Sequence, residues 1–304
     1  MKLSMINKII KGIRNPKRAI LYILGTKISK VIPDKTYLEI KYKLTTGKKL
    51  DFENPKTFNE KLQWLKLHNR NPEYTTMVDK FEVRKYIADK IGEEYLIPLI
   101  GVYDSFEEID FEVLPNQFVL KPNHTSGNVY ICKDKSKINY KELKKEINMW
   151  LKRKYYWMHR EWPYKNVKPK IVCEKYMVDE SGTELKDYKM YCFNGETKII
   201  QVDYDRFNGH KRNLYNSKWE YVPTSIKYPS NPDIIIKKPN KLKEMLELAN
   251  ILSKGHPYVR VDFYSINEKL YFGEITFYPE AGYGKFDPVD LDIEMGNLIK
   301  LPIL

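Results

Sequence analysis

Apolar residues in the first fifty positions recur at helical spacing. Met5, Ile6, Ile9, Ile10 and Ile13 share a stripe, with Lys8, Lys11 and Arg14 between them. Asn15-Pro16 interrupts the stripe and Ile20 to Ile32 resumes it, so residues 1–50 read as one or two basic helices. Such a segment suits a membrane interface and equally suits docking on the rest of the chain. The helical period continues through residues 51–115. Thr57 and Glu60 have capping-box spacing and open a helix that runs through Leu67. A second helix is predicted from Met77 to Ile91, ending near Gly92, with Lys80 in its opening turn. A short apolar stretch, Tyr95 to Tyr103, follows.

After Pro115 strand-like runs appear. Gln117–Lys121 and Val129–Lys133 read as a hairpin around the polar loop Asn123–Asn128, and Tyr140–Tyr156 as a helix. Lys170–Met177, Asp187–Phe193 and Thr197–Asp203 read as strands, the last two joined by Asn194-Gly195, a strong hairpin signal. Leu242–Leu252 is an amphipathic helix. Tyr258–Tyr264 and Lys269–Ile275 are strands joined through Asn267-Glu268. The fold class is α+β, with three expected regions: the basic segment 1–50, a mainly helical region 51–115, and a domain over 116–304.

With 42% hydrophobic and 31% charged residues in 304, the chain is built to fold as a globular protein. No apolar run approaches the ~18–20 residues a membrane span needs, and Ala19–Leu24 is too short for a secretory leader. The net charge of +13 is uneven. Thirteen Lys/Arg against Asp34 and Glu39 give residues 1–50 a charge of +11, leaving +2 for the other 254. A near-neutral body with a basic front argues against nucleic acid as partner, since no aromatic-basic recognition motif stands out. It suits an acidic polymer or an anionic membrane surface, and equally a solvated helix face. Cys132, Cys173 and Cys192 are an odd count without metal-site spacing. Each sits in an apolar run, which fits buried thiols in a reducing cytoplasm.

Four clusters carry candidate chemistry. Arg260 and Asp262 alternate on one strand, and Glu274 and Thr276 on the next. Alternate residues share a face, so pairing these strands gathers two carboxylates and a guanidinium. That set suits Mg²⁺ carrying polyphosphate, and equally a cross-strand salt bridge. Lys121 closes an apolar strand before the loop His124-Thr-Ser126-Gly127, which could place an ammonium and backbone N–H groups on phosphates or be an ordinary polar turn. The loop lacks Walker A spacing. Ile171–Met177 ends in Glu174 and Tyr176, as a nucleotide-base hinge or a plain strand end would. Lys80 at a helix start opposes the helix dipole unless an anion sits there.

The order Lys80, Lys121, Glu174, Asp187, Arg260-x-Asp262, Glu274-x-Thr276 resembles the ATP-grasp superfamily. More narrowly, the chain is similar to the TupA-like ATP-grasp family linked to teichuronopeptide and polysaccharide biosynthesis. The stretches that carry the likeness are Asn54–Lys61, Phe118–Gly127, Leu185–Gly195, Val259–Tyr264, and Phe272–Phe277 through Gly284–Pro288. The resemblance implies ATP clamped between two α+β subdomains, with Lys80 and Lys121 on the phosphates and the His124–Asn128 loop, including Ser126 and Gly127, folded over them. It implies Glu174, the backbone near Tyr176, and Asp187 at adenine and ribose, Asp262 and Glu274 on Mg²⁺, and Arg260 facing the phosphates. Thr276 stands where many relatives have a metal-binding Asn, which leaves one or two Mg²⁺ open. Arg206, Lys211 and Arg212 are all candidates for a γ-phosphate contact.

The implied activity is an ATP-dependent carboxylate–amine ligase working through an acylphosphate. By family analogy it joins an amino acid or other amine to a uronic-acid carboxylate of a surface polysaccharide precursor, with residues 1–50 at anionic glycan or the inner face of the membrane. The alternative is a glycosyltransferase of capsular or exopolysaccharide assembly, for which Asp203-Tyr204-Asp205 supplies a short Asp-x-Asp motif.

Overall fold

The computed structural model describes residues 24, 27–179, 185–204, 209–234 and 236–303. Met5–Arg14, Arg206 and Asp205 therefore lie outside the described residues. The helices are α1 (Asp34–Thr46), α2 (Phe58–His68), α3 (Glu73–Val78), α4 (Val83–Lys90), α5 (Tyr140–Leu151), α6 (Tyr156–His159), α7 (Leu242–Ser253) and α8 (Asp290–Leu298). The strands are β1 (Leu99–Tyr103), β2 (Phe118–Pro122), β3 (Tyr130–Cys132), β4 (Ile171–Lys175), β5 (Asp187–Phe193), β6 (Glu196–Tyr204), β7 (Lys211–Asn216), β8 (Tyr221–Val222), β9 (Ser225–Ile226), β10 (Tyr258–Ile266), β11 (Lys269–Thr276) and β12 (Phe286–Asp287). The fold is α+β, with every strand pair antiparallel.

Two sheets matter for function. The smaller has the order β1-β4-β2-β3 and its own core, in which Phe118, Leu120 and Cys173 pack against Leu143, Ile147 and Trp150 of α5. The larger has the order β11-β10-β5-β6-β7-β8. Its two faces differ in chemistry. Val259, Val261 and Phe263 of β10 lie in register with Cys192, Met190 and Tyr188 of β5. α7 contributes Met245, Ala249 and Leu252 to the same apolar core. The alternate residues Arg260 and Asp262 face Tyr191 and Lys189. Period-two alternation thus gives one greasy face under a helix and one charged face for a site.

The Asn194-Gly195 turn joins β5 to β6 with both residues at positive φ, 51° and 86°, as a two-residue hairpin requires. α2 opens with the expected capping box: Thr57 Oγ1 accepts from Glu60 N–H, and Glu60 accepts from Thr57 N–H. The helix predicted over Met77–Ile91 is instead two, α3 and α4. Asp79 breaks it by accepting from Phe81 and Glu82 N–H, which places Lys80 in a turn rather than a helix start. Of the basic front segment, α1 docks on the body through buried Tyr37, Leu38 and Tyr42. Arg160 donates to the carbonyls of Ser29 and Ile32. Among the described residues no helix is long and apolar enough to cross a membrane.

Candidate active site

The cleft between the two sheets holds a cavity of ≈ 370 Å³, lined by Lys80, Lys121, Ser126, Gly127, Glu174, Tyr176, Asp187, Asp262 and Glu274 among others. That is within the size range of small-molecule sites, ~300–1,000 Å³. Val119, Ile131 and Met177 supply an apolar wall on the small-sheet side. Nine of the residues singled out from sequence therefore meet around one volume. Arg260, Arg212 and Thr276 instead line a second cavity of ≈ 350 Å³, with Tyr155, His159, Glu161, Tyr164, Lys227, Tyr278 and Glu280. The two cavities share Ser126 and Glu274.

His124 lines neither cavity. It is buried, with Nδ1 3.2 Å from Asn123 Oδ1 and Nε2 3.2 Å from the Arg153 carbonyl. Burial pushes its pKa down to about 4, against the pull of the Arg153 and Trp150 backbone. It supports the loop from beneath. Asn123 is the centre of that support. It donates to both oxygens of Asp79 at 2.9 Å and accepts from Lys170 N–H at 2.7 Å, and its carbonyl accepts from Lys80 N–H. This network fixes the Lys80 turn against the Lys121 hairpin. Lys80 Nζ donates to the Thr125 carbonyl at 2.7 Å, and burial lowers its pKa.

Lys121 Nζ lies 2.6 Å from Glu174 Oε2, and Arg84 lies 3.8 Å from the other oxygen. The pairing follows from register, since β2 and β4 are neighbours in the small sheet. Glu174 thus holds the lysine side chain at the cavity wall.

On the charged face of the large sheet, Asp262 and Glu274 are register partners, as are Arg260 and Thr276. Arg260 donates to both oxygens of Asp262 at 2.7 Å, to Glu274 Oε1 at 3.0 Å, and to Thr276 Oγ1 at 3.1 Å. Thr276 in turn donates to Glu274 Oε1. Lys189, absent from the sequence candidates, donates to Asp262 and Asp187. Burial opposes its charge, but Asp187 and Asp262 outweigh that and raise its pKa. Burial also works against the Glu274 carboxylate, and Lys80 with Arg260 overcomes it and lowers the pKa, so Glu274 is ionised at neutral pH.

The donors fit Mg²⁺. Two hard carboxylates stand together, and Glu274 Oε2 makes no hydrogen bond among the described residues while its side chain is 35% exposed. Asp262 is enclosed by Arg260 and Lys189, so Glu274 is the more open ligand. No cluster of three or more His, Cys, Asp or Glu arranged for a metal occurs among the described residues. An ion here would take its remaining ligands from phosphate and water, the usual habit of magnesium.

Arg212 is held by Asp203 (Nε to Oδ1, 2.7 Å) and by the Ile226 carbonyl, and points its other edge toward Glu280 at 3.6 Å. Asp203 is thereby committed to Arg212 and to Gln201 Nε2 at 3.0 Å, while Asp205, the second acid of the Asp-x-Asp pattern, lies outside the described residues. Glu280, Ala281 and Gly282 all have positive φ, a strained turn of the kind that clusters at functional sites. Two buried residues of α2 hold it. Gln63 donates to the carbonyls of Ala281 and Gly282, and Lys66 to that of Ala281 at 2.7 Å. Lys66 is fully buried, although nothing in its local sequence marks it out.

The family model of TupA-like ATP-grasp proteins matches residues 60–300. The fold is similar to D-alanine–D-alanine ligase from Helicobacter pylori (16% identity, TM-score 0.39, 80% of this chain and 69% of that one). It is similar to the Bacillus anthracis ligase of that name complexed with ATP (17%, 0.39, 73% and 65%). It is also similar to a RimK domain ATP-grasp protein from Sphaerobacter thermophilus (10%, 0.41, 74% and 69%). No curated protein matches the sequence. With 241 consecutive residues inside the family model, the chain belongs to the TupA-like ATP-grasp family.

Proposed function

We propose that the protein is an ATP-dependent carboxylate–amine ligase that works through an acylphosphate. The observation that supports this reading best is the meeting of the two cavities at Glu274 and Ser126. A nucleotide in the first cavity would present its terminal phosphate to a substrate in the second. The apolar wall of Val119, Ile131 and Met177 suits adenine, with Tyr176 and Asp187 at the base and ribose. Lys80 and Lys121 bring two ammonium groups to the same volume, and Ser126 and Gly127 cover it.

The carboxylate oxygen of the first substrate attacks the γ-phosphorus, the bond to the β-phosphate oxygen breaks, and ADP leaves. The amine then attacks the acyl carbon, phosphate leaves, and the nitrogen loses a proton. No protein nucleophile is needed, because the work is positioning and neutralising charge on the transferring group. Lys80, Lys121 and Arg260 contribute that positive charge, and Arg212 reaches the second cavity from β7. Mg²⁺, held by Glu274 with Asp262, would neutralise further phosphate charge when bound. The charge of Arg260 is set by the sheet itself: burial opposes it, and Asp262 and Glu274 keep the guanidinium protonated.

For substrates we propose a uronic-acid carboxylate of a surface polysaccharide precursor and an amino acid as the amine. The mixed charge of the second cavity supports both, with Arg212, Lys227 and Arg260 as cations and Glu161 and Glu280 as anions. ADP release measured with MgATP, a panel of acidic sugars and a panel of amino acids tests the reading. ADP release that needs both an acid and an amine is expected.

A further inference from the structure

Resting on that ligase reading, we propose that Glu161 is the residue that receives the ammonium group of the amine substrate in the second cavity. Eight carboxylates are buried among the described residues: Asp79, Glu161, Glu174, Asp179, Asp187, Asp203, Asp262 and Asp292. Seven have hydrogen-bonded or ionic partners, such as Asn123 for Asp79 and Asn59 for Asp292. Glu161 is 4% exposed and lines the second cavity, and its carboxylate has neither a hydrogen bond nor an ion pair within 4 Å among the described residues.

Two lysines are its electrostatic neighbours, but neither has a proton to give it. Lys66 spends its three N–H groups on Gln63 Oε1 (2.9 Å), the His159 carbonyl (3.0 Å) and the Ala281 carbonyl (2.7 Å). Lys41 donates to the Met158 carbonyl and lies 3.2 Å from His159 Nδ1 and 3.5 Å from Tyr37 Oη. Burial accordingly raises the pKa of Glu161 despite their pull. A buried acceptor left without a donor is costly, and a ligand that supplies one removes that cost.

The cavity selects the kind of donor. Tyr155, Tyr164 and Tyr278 surround it with aromatic rings, which attract an ammonium. Lys227, paired with Glu280 at 2.7 Å, and Arg212, paired with Asp203, line the same volume, so an amine that also bears an anionic group meets cationic donors there as well. An amino acid fits this description and a polyamine does not.

The test uses the full chain with MgATP, D-glucuronate or D-galacturonate as acid, and a mixture of the common amino acids as amine. Hydroxylamine, added separately, traps the acylphosphate without needing an amine site. Glu161→Gln is expected to form hydroxamate at the wild-type rate, with KM for ATP unchanged. It is expected to lose roughly 10–100-fold in kcat/KM for the amine, about what one charged hydrogen bond is worth. Glu161→Asp, which keeps the charge but draws it back, should fall between the two, and it carries the comparison if the Gln variant does not fold. Unchanged amine kcat/KM in the folded variants overturns the role of Glu161 alone. A wild-type chain that makes hydroxamate with neither acid overturns the ligase reading for these acids and the role of Glu161 with it.

Discussion

Asp262 and Glu274 stand opposite each other across β10 and β11, and the guanidinium of Arg260 donates to both. Their separation in sequence is short because the strands are joined by the two-residue turn Asn267-Glu268, so the register is fixed by the turn and by the apolar face beneath it. Neutralising either carboxylate removes half of the site that would hold magnesium. Asp262→Asn and Glu274→Gln are each expected to lower ATP turnover by roughly 100-fold or more, the scale of losing one electrostatic stabiliser of the transition state. ADP release checks this, and an unchanged circular dichroism spectrum separates it from unfolding.

Lys121 and Glu174 form a pair that should behave as a unit. Lys121→Met leaves the Glu174 carboxylate, which is 8% exposed, with only Arg84 at 3.8 Å as an ionic partner among the described residues. Stability is expected to fall by about 1–3 kcal/mol, the cost of an unsatisfied buried group. Adding Glu174→Gln should restore part of that loss, because the stranded charge is gone. Urea denaturation of the four proteins gives the coupling. MgATP affinity should drop in both variants that lack Lys121.

The strained turn beside the second cavity is a separate point of weakness. Gly282 has φ +68°, and a Cβ there would come within 2.4 Å of Gln63 Nε2. Gly282→Ala is expected to cost about 1–3 kcal/mol, since left-handed backbone and a close contact both oppose it. A thermal melt reads the loss. The amine-dependent rate should fall more than the hydroxylamine-trapped one, because Glu280 and Ala281 line the second cavity and not the first.

Buried histidines set the acid limit. Burial lowers the pKa of His124 from 6.5 to about 4 and that of His159 to about 2. Between 6.5 and these values the two rings bind more protons in the unfolded chain than in the folded one, so their contribution to stability rises with pH there. The neutral rings' contribution is complete above about 6.5 and is lost progressively as pH falls toward 4. Melting temperatures taken from pH 7 to pH 4 should decline, and His124→Asn should flatten the slope.

The parts of the site that sequence makes legible are those where local pattern fixes geometry. Alternation predicts that Arg260 shares a face with Asp262, and Asn194-Gly195 predicts the β5–β6 hairpin. Strand β7 escapes this reading because Arg212 and Asn213 are polar yet buried. They are made compatible with the interior by Asp203, nine positions back, and by the Asn231 carbonyl. Lys66 and Glu161 escape for the same reason in stronger form. Their environment is assembled from residues near 159 and 281, so neither periodicity nor composition near them signals burial. The α3–α4 break was hidden because Asp79 acts through its side chain on the backbone two and three residues on, a local competition that apolar spacing does not report.

On this reading the cavities on either side of Glu274 form one centre, in which ATP activates a carboxylate. Positional isotope exchange in ATP labelled at the β,γ-bridge oxygen tests it most directly, because scrambling needs reversible cleavage at the γ-phosphorus and no amine. Scrambling with MgATP is expected only when an acidic sugar is present, and none in Glu274→Gln. ATP that binds yet never scrambles with any acid, or scrambling that persists in Glu274→Gln, would contradict it.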